Sequence, residues 1–216
     1  MAQNFVKGVS PRGVFVFPHL NTPDTKFKDE GEYHVKLRLS ADDPATQALM
    51  QLCDREAAKA LEEAQAGESS PAKRKRWETK YLPYEMEEDE DGEETGNVLF
   101  KFKSRASGVV KKTGKAWSRK IKLFDAKLNP INEEIWGGTE GKVSFEVMPY
   151  APTTQVGASV SLSIVGVQVL KLVTGGGADP EGMGFDEEDG FEGEEKATNE
   201  EGFSEEADDD DGSGDF

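Results

Sequence analysis

The sequence predicts a mainly β fold: a small barrel of five to six antiparallel strands with one capping helix, followed by a disordered acidic tail. Two observations in residues 1–174 lead to this fold. Short segments alternate between apolar and polar residues, and a single longer segment has helical periodicity. Short strands at this spacing with one helix are typical of the OB-fold, whose usual ligand is an oligonucleotide lying across one face of the barrel.

Period-two alternation locates most of the strands. In residues 32–39 apolar side chains alternate with mostly basic ones, as expected of a half-buried strand. Residues 97–106 and 117–125 are interpreted as a hairpin with a basic tip. The predicted strands cover residues 12–20, 32–39, 97–106, 117–125, 142–148 and 158–173, with a bulge at Gly166 and a loop at 149–157.

The helix is predicted from its ends and its apolar stripe. Asp43 suits the N-cap, Pro44 suits the first helical position, and Gly67 ends the pattern. Cys53, the only cysteine, lies on the apolar stripe and is interpreted as a core residue. Residues 67–96 are predicted to form a long, partly mobile loop that contains a basic patch, three aromatic residues and an acidic run.

The charge of the chain is unevenly distributed. The net charge of −17 resides entirely in residues 175–216, which hold 18 acidic side chains against one lysine. Residues 1–174 carry 25 acidic and 25 basic side chains, and eight of these acids lie in residues 85–94. We therefore expect a folded, charge-binding domain in residues 1–174 and a disordered interaction tail in residues 175–216.

Basic residues on strand faces are the candidate nucleic-acid ligands. Alternation in residues 100–105 places three cations on one face, about 6.6–6.8 Å apart, which is close to the spacing of phosphates in an extended strand. Solvated lysines and rim aromatics remain the simpler interpretation of each position alone. The candidates are the cations Lys36, Arg38, Lys101, Lys103, Arg105, Lys120 and Lys122 and the stacking aromatics Trp117 and Tyr150.

The sequence gives no sign of catalysis or of a cofactor. It contains two histidines, His19 and His34, and one cysteine, so neither a zinc site nor a nucleophile–base pair is indicated. We therefore expect neither an enzyme nor a metalloprotein. With no signal peptide, no membrane span and no possible intrachain disulfide, the expected location is the cytoplasm, with no membrane partner.

Three stretches resemble the phage-encoded single-stranded DNA-binding proteins of the T7-like replication system. They are residues 100–107, residues 147–150 with 156–162, and the acidic end at 214–216. The resemblance covers most of the chain. It implies an OB-fold that binds single-stranded DNA with little sequence preference and anneals complementary strands, in phage replication and recombination within the host cytoplasm.

The resemblance also assigns roles to particular residues. Lys101, Lys103 and Tyr150 match DNA-contacting positions of the family, and Arg105 stands where the family has a stacking tyrosine. The tail, ending in Asp215 and Phe216, is expected to contact the phage DNA polymerase and helicase-primase. A family-like homodimer is left open. The alternatives are an acidic chaperone or DNA mimic that binds basic proteins, and a single-stranded RNA binder.

Overall fold

The computed structural model describes residues 5–26, 28–153 and 157–173, with only the backbone given for residues 151–153. All described residues belong to one compact unit, and the predicted acidic tail lies outside them. The elements are β1 (Val6–Val9), β2 (Gly13–Asp24), β3 (Glu32–Ser40), α1 (Pro44–Gly67), α2 (Pro71–Arg74), β4 (Tyr84–Glu88), β5 (Glu94–Arg105), β6 (Ser107–Val109), β7 (Ala116–Ser118), β8 (Lys122–Phe124), β9 (Glu140–Thr153) and β10 (Gly157–Lys171).

Five of the strands pair into a closed ring. Strand β9 pairs with β2, β2 with β3, β3 with β5, β5 with β10, and β10 returns to β9. This order confirms the predicted mainly β fold, and it is the strand connectivity of a five-stranded OB-fold.

The ring differs from the sequence prediction in one pairing. Four of its five pairings are antiparallel, but β5 and β10 run parallel through Leu162 opposite Phe102. The physical reason is parity: strands that alternate in direction around a closed ring must be even in number. A ring of five therefore contains at least one parallel pair.

The remaining strands extend the edges of ring strands. Strand β1 pairs antiparallel with β9, β4 pairs antiparallel with β5, and β8 pairs in parallel with β10. The predicted hairpin of residues 97–106 and 117–125 forms only next to its turn, where β6 pairs with β7. Beyond that point the predicted pairing is wrong, because β8 pairs with β10 and does not return along β5.

The core fills the inside of the ring. The inward positions of β3, β5, β9 and β10 are buried, and Phe102 of β5 meets Phe145 of β9 with ring centroids 5.5 Å apart. A tilted contact at this distance is a favourable arrangement of two aromatic rings. Because alternation sends every second residue inward, the intervening residues of β3 and β5 face outward.

Helix α1 has the predicted boundaries and packs against β9 and β10. The Asp43 side chain accepts a hydrogen bond from the Ala45 amide at 2.8 Å, as expected of an N-cap, and Pro44 follows it. Cys53 is fully buried, which confirms that it is a core residue, and this burial raises the pKa of its thiol to about 12. None of the described helices is long and apolar enough to cross a membrane.

Two segments expected to be loops contain strand structure. Strand β9 continues to Thr153, and its Tyr150 lies opposite Ser159, so the loop predicted for residues 149–157 is shorter than expected. Part of residues 67–96 forms β4, whose Met86 lies opposite Val98. Tyr84 and Met86 of β4 do alternate with Glu85 and Glu87, but this pattern covers too few residues, at the start of a dense acidic run, to indicate a strand by itself.

The ring closes where two glycines meet. Gly13 of β2 lies opposite Gly141 of β9. A Cβ on Gly141 would lie 2.4 Å from the Gln168 carbonyl oxygen and 2.6 Å from Phe15 Cζ. Only a residue without a side chain allows β2, β9 and β10 to approach so closely.

We expect Gly141→Ala to destabilise the fold by about 1–3 kcal/mol, because the added methyl group collides with backbone and with a buried ring. Urea denaturation measures this change. Gly67→Ala is the matched control, since nothing lies within 4 Å of the added Cβ. Equal stability of Gly141→Ala and the wild type would show that β2, β9 and β10 are not tightly packed at Gly141.

Candidate nucleic-acid interface

A groove of about 770 Å³ opens on the outer face of the ring, where β5 and β10 lie side by side. Five of its described lining residues are cations and one is a carboxylate. The lining consists of Lys28, Glu32, Tyr81, Leu82, Pro83, Lys101, Lys103, Ser104, Arg105, Trp117, Arg119, Met148, Tyr150, Val160, Ser161 and Ser163. The groove thus combines positive charge with aromatic and hydroxyl groups.

Three predicted cations of β5 lie in this groove. Lys101 and Arg105 are exposed, and Lys103 is half-buried between them on the same strand face. Within the described residues, no carboxylate lies within 4.0 Å of the charged nitrogens of these three side chains. Their charges are therefore available to an anionic ligand.

The environment of Lys103 favours an added anion. Burial lowers the pKa of its ammonium group, because desolvation disfavours the charged form, and the charges of Lys101, Lys28 and Arg105 act in the same direction. Glu32 opposes this shift, but Lys28 holds that carboxylate at 2.5 Å. A phosphate close to Lys103 would supply the charge that its surroundings do not fully provide.

Two tyrosines lie along the groove. The predicted stacking residue Tyr150 is half-buried and lines the groove from β9. Tyr81, which the sequence analysis did not select, is 61% exposed and lines it as well. Two hydrogen bonds to backbone carbonyls hold this segment in place: the Lys101 amide donates to the Pro83 carbonyl, and the Ser159 hydroxyl Oγ donates to the Tyr81 carbonyl.

Trp117 lies in the groove, but its ring is already partly covered. It packs against Gly108 across the β6–β7 hairpin, where a Cβ on Gly108 would come within 2.9 Å of the indole. The Arg119 guanidinium lies over the ring at 4.9 Å from its centroid and donates to Ser104 Oγ at 3.1 Å. Trp117 and Arg119 therefore form a cation–π pair in the lining of the groove.

The two predicted cations of β3 are not part of the groove. Lys36 Nζ lies 2.7 Å from Glu85 Oε1, and Arg38 Nη2 lies 2.6 Å from Glu87 Oε1. Both glutamates belong to β4, which lies against the first half of β5. The acidic run that begins at Glu85 therefore neutralises two cations that alternation alone placed on the binding face.

Glu87 is held firmly in this arrangement. Burial alone would raise the pKa of its carboxyl group, but hydrogen bonds from Arg38, Asn97 and Thr95 outweigh that effect, and the pKa is lowered. Asn97 and Thr95 donate to the second carboxylate oxygen at 3.0 and 2.9 Å. The Arg38–Glu87 pair is thus part of a small hydrogen-bonded network.

The structure separates the other predicted residues from the groove. Lys120 and Lys122 are exposed but do not line it, because β8 joins β10 beyond the groove, with Lys122 opposite Gly166. Asp215 and Phe216 lie outside the described residues. Five of the nine predicted nucleic-acid ligands therefore meet in the groove, namely Lys101, Lys103, Arg105, Trp117 and Tyr150.

Sequence reasoning missed several groove residues for identifiable reasons. Arg119 follows Trp117 by two positions, so it shares a strand face with the tryptophan, a signal that could have been used. Lys28 and Tyr81 lie in irregular segments without periodicity. Only the tertiary structure brings those two residues to the same surface.

Comparisons with known proteins show the family of the chain. Residues 14–172 match the family model described as "Single-stranded DNA-binding protein, Bacteriophage T7". The single-stranded DNA-binding protein of Enterobacteria phage T3 is 33% identical over 81% of this chain and 79% of its own. The protein of the same name from Escherichia phage T7 is 32% identical over 74% of this chain and 71% of its own.

Solved structures share the fold. The crystal structure of gp2.5, a single-stranded DNA-binding protein encoded by bacteriophage T7, is 27% identical and covers 88% of this chain and 100% of its own, with a TM-score of 0.63. A single-stranded DNA-binding protein from bacteriophage Enc34, solved in complex with ssDNA, is 13% identical and covers 79% of this chain and 89% of its own, with a TM-score of 0.51. The latter likeness concerns the fold alone. On its sequence and its fold, the chain belongs to the bacteriophage T7 family of single-stranded DNA-binding proteins.

Proposed function

We propose that this protein binds single-stranded DNA without sequence preference, in the groove between β5 and β10. The observation that carries the proposal is the set of cations Lys101, Lys103 and Arg105, which form no ion pair with any described residue, lie along one strand face and are flanked by aromatic side chains. Such a combination of charge and flat apolar surface is what sequence-tolerant strand binding requires. The names of the relatives support the same activity.

In this mechanism the phosphates lie on the cations of β5, with Lys28 and Arg119 at the groove margins. The bases stack on Tyr150, on Tyr81 and on the surface formed by Trp117 and Arg119. Phosphate contacts release counterions and give affinity that falls with salt. Stacking contributes about 1–3 kcal/mol per base and tolerates every base, because each has a π-face.

Strand β4 limits how far the strand can run across the barrel. Glu85 and Glu87 neutralise Lys36 and Arg38, so the attractive surface ends near Lys101. A backbone that continued onto β3 would meet carboxylates as well as cations. The acidic run therefore restricts the DNA path to the β5–β10 side of the ring.

The biological role that we propose follows from the family and the tail. By covering single strands the protein would protect them and promote annealing during phage DNA replication and recombination in the host cytoplasm. The acidic tail of residues 175–216 would recruit replication proteins, such as a DNA polymerase and a helicase-primase, through Asp215 and Phe216. Without DNA, the same tail would compete as a polyanion for the groove.

Lys101→Ala and Lys103→Ala should each weaken binding to oligo-dT and reduce the salt slope of log K by about 0.7–1, because each removes one phosphate contact. Fluorescence anisotropy across a salt series measures both quantities. Lys122→Ala is the matched control, since it removes an exposed lysine outside the groove. An equal loss for Lys122→Ala would show that binding follows overall charge and not the groove.

The double change Glu85→Gln and Glu87→Gln should strengthen binding and make the salt dependence steeper by up to about 0.7 for each cation released. The reason is that Lys36 and Arg38 lose their carboxylate partners and become available to phosphates. Glu88→Gln is the control, because this exposed carboxylate of β4 makes no ion pair within the described residues. Unchanged affinity of the double variant would contradict a limiting role for β4.

A chain shortened to residues 1–174 should bind oligo-dT more tightly than the full chain at low salt, because it lacks the competing −17 segment. The difference should shrink as salt screens both interactions. The same titration with oligo-U compares DNA with RNA. No binding by either form at low salt would overturn the proposed function and favour an acidic chaperone. Equal binding by both forms would contradict competition by the tail but would leave the proposed DNA binding intact.

A further inference from the structure

Strand β2 carries a bulge that changes which side chains face β3. Val16 lies opposite Lys36, and the next matched pair is His19 opposite His34. Between these two pairs β2 therefore contains one residue more than β3. Phe17 absorbs the extra residue with a positive φ of 48°, which is unusual for a side chain of this size. Bulges of this kind re-aim side chains and are frequent next to functional sites.

The effect of the bulge is to bring the two histidines of the chain together. Without it, Pro18 would stand opposite His34. With it, the His19 and His34 rings lie 4.6 Å apart between centroids on the outer face of the ring. The only two histidines of the sequence thus meet at a point where the backbone departs from regular strand geometry.

A carboxylate completes the cluster. Asp24 Oδ2 lies 3.5 Å from His34 Nε2, and the Lys26 amide donates to Asp24 Oδ1 at 2.8 Å. This backbone hydrogen bond orients the carboxylate and leaves Oδ2 directed at the histidines. One ligand atom from each of His19, Asp24 and His34 lies within 4.8 Å of the others.

We propose that His19, His34 and Asp24 form a binding site for a single Zn²⁺ ion or a similar first-row divalent metal. Two imidazole nitrogens and one carboxylate oxygen are ligands that Zn²⁺ prefers, whereas Mg²⁺ and Ca²⁺ select oxygen ligands. Three protein ligands leave a fourth tetrahedral position for water or another oxygen ligand. The Lys26 amide is the outer contact that holds the carboxylate in place.

The geometry requires a small closure. Zn–N bonds of about 2.0–2.1 Å place neighbouring ligand atoms of a tetrahedral site about 3.3 Å apart. The ligand atoms of the cluster must therefore approach each other by at most about 1.5 Å. His19 is exposed, so its side chain can rotate toward Asp24 and His34 without displacing core residues.

The surroundings of the cluster carry charges of both signs. Glu32 of β3 lies opposite Asp24, and Lys103 of β5 lies opposite His34. The carboxylates favour a cation and the lysine opposes it, so the three ligands must supply most of the affinity. The site borders the groove, because Glu32 and Lys103 also line it, but none of the three proposed ligands is a groove residue.

The test uses the full chain after EDTA treatment and dialysis. Calorimetric titration with Zn²⁺ should give a stoichiometry of one ion per chain. Co²⁺ should give the visible absorption spectrum of a four-coordinate site with nitrogen and oxygen ligands. Zn²⁺ should also raise the Tm, because a ligand that binds only the folded state stabilises it, and EDTA should reverse the shift.

His19→Gln is the decisive variant, because the residue is exposed and the change retains every carboxylate of the chain. We expect it to weaken Zn²⁺ binding by more than about tenfold, since even outer contacts of a metal site contribute 10–100-fold. His34→Gln should have the same effect. Equal Zn²⁺ uptake by the wild type and His19→Gln would mean that acidic residues bind the ion, and it would overturn the proposed site. The absence of Zn²⁺ binding at one equivalent would overturn it as well.

Discussion

The edge of strand β5 is shared between two partners, and the surface chemistry of the protein depends on this division. The first half of the edge pairs with β4 at Val98–Phe100, and the second half pairs with β10 at Phe102 and Lys103. Parallel pairing with β10 closes the ring, so β4 can occupy only the part of β5 that β10 leaves free. One set of backbone hydrogen bonds thus decides which outward side chains meet glutamates and which meet an open groove.

The same division accounts for the distribution of charge. Lys36 of β3 and Lys101 of β5 lie opposite each other, yet Lys36 is paired with Glu85, while Lys101 forms no ion pair within the part of the chain that the structure describes. Exposed ion pairs of this kind contribute little to stability, about 0–1 kcal/mol. Their larger effect is on the electrostatic potential of the surface. They neutralise the cations of β3, so the positive potential of the groove comes mainly from the cations of β5.

The closed ring depends on close contacts between strand backbones and on a bulge in β2. Gly13 and Gly141 close the ring where any side chain would collide with a neighbouring strand. The bulge at Phe17 accommodates an extra residue in β2 and turns His19 toward His34. Both features lie on β2, the strand that must reach β9 on one side and β3 on the other.

The sequence by itself determined the local structure. Alternation predicted the cores of the long strands and the outward direction of Lys101, Lys103 and Arg105, and capping residues predicted α1 to its ends. These features follow from residues close together in the chain, since period and capping are local properties. The acidity of residues 175–216 is likewise a property of composition.

Only the tertiary structure decided which of those residues act together. The parallel pair of β5 and β10, the pairing of Lys36 and Arg38 with β4, and the meeting of Tyr81, Arg119 and Tyr150 all join residues far apart in sequence. The position of Lys122 beyond the groove has the same origin. The physical reason is that a side chain's face is set by its own strand, whereas its neighbours are set by how five strands close into a ring.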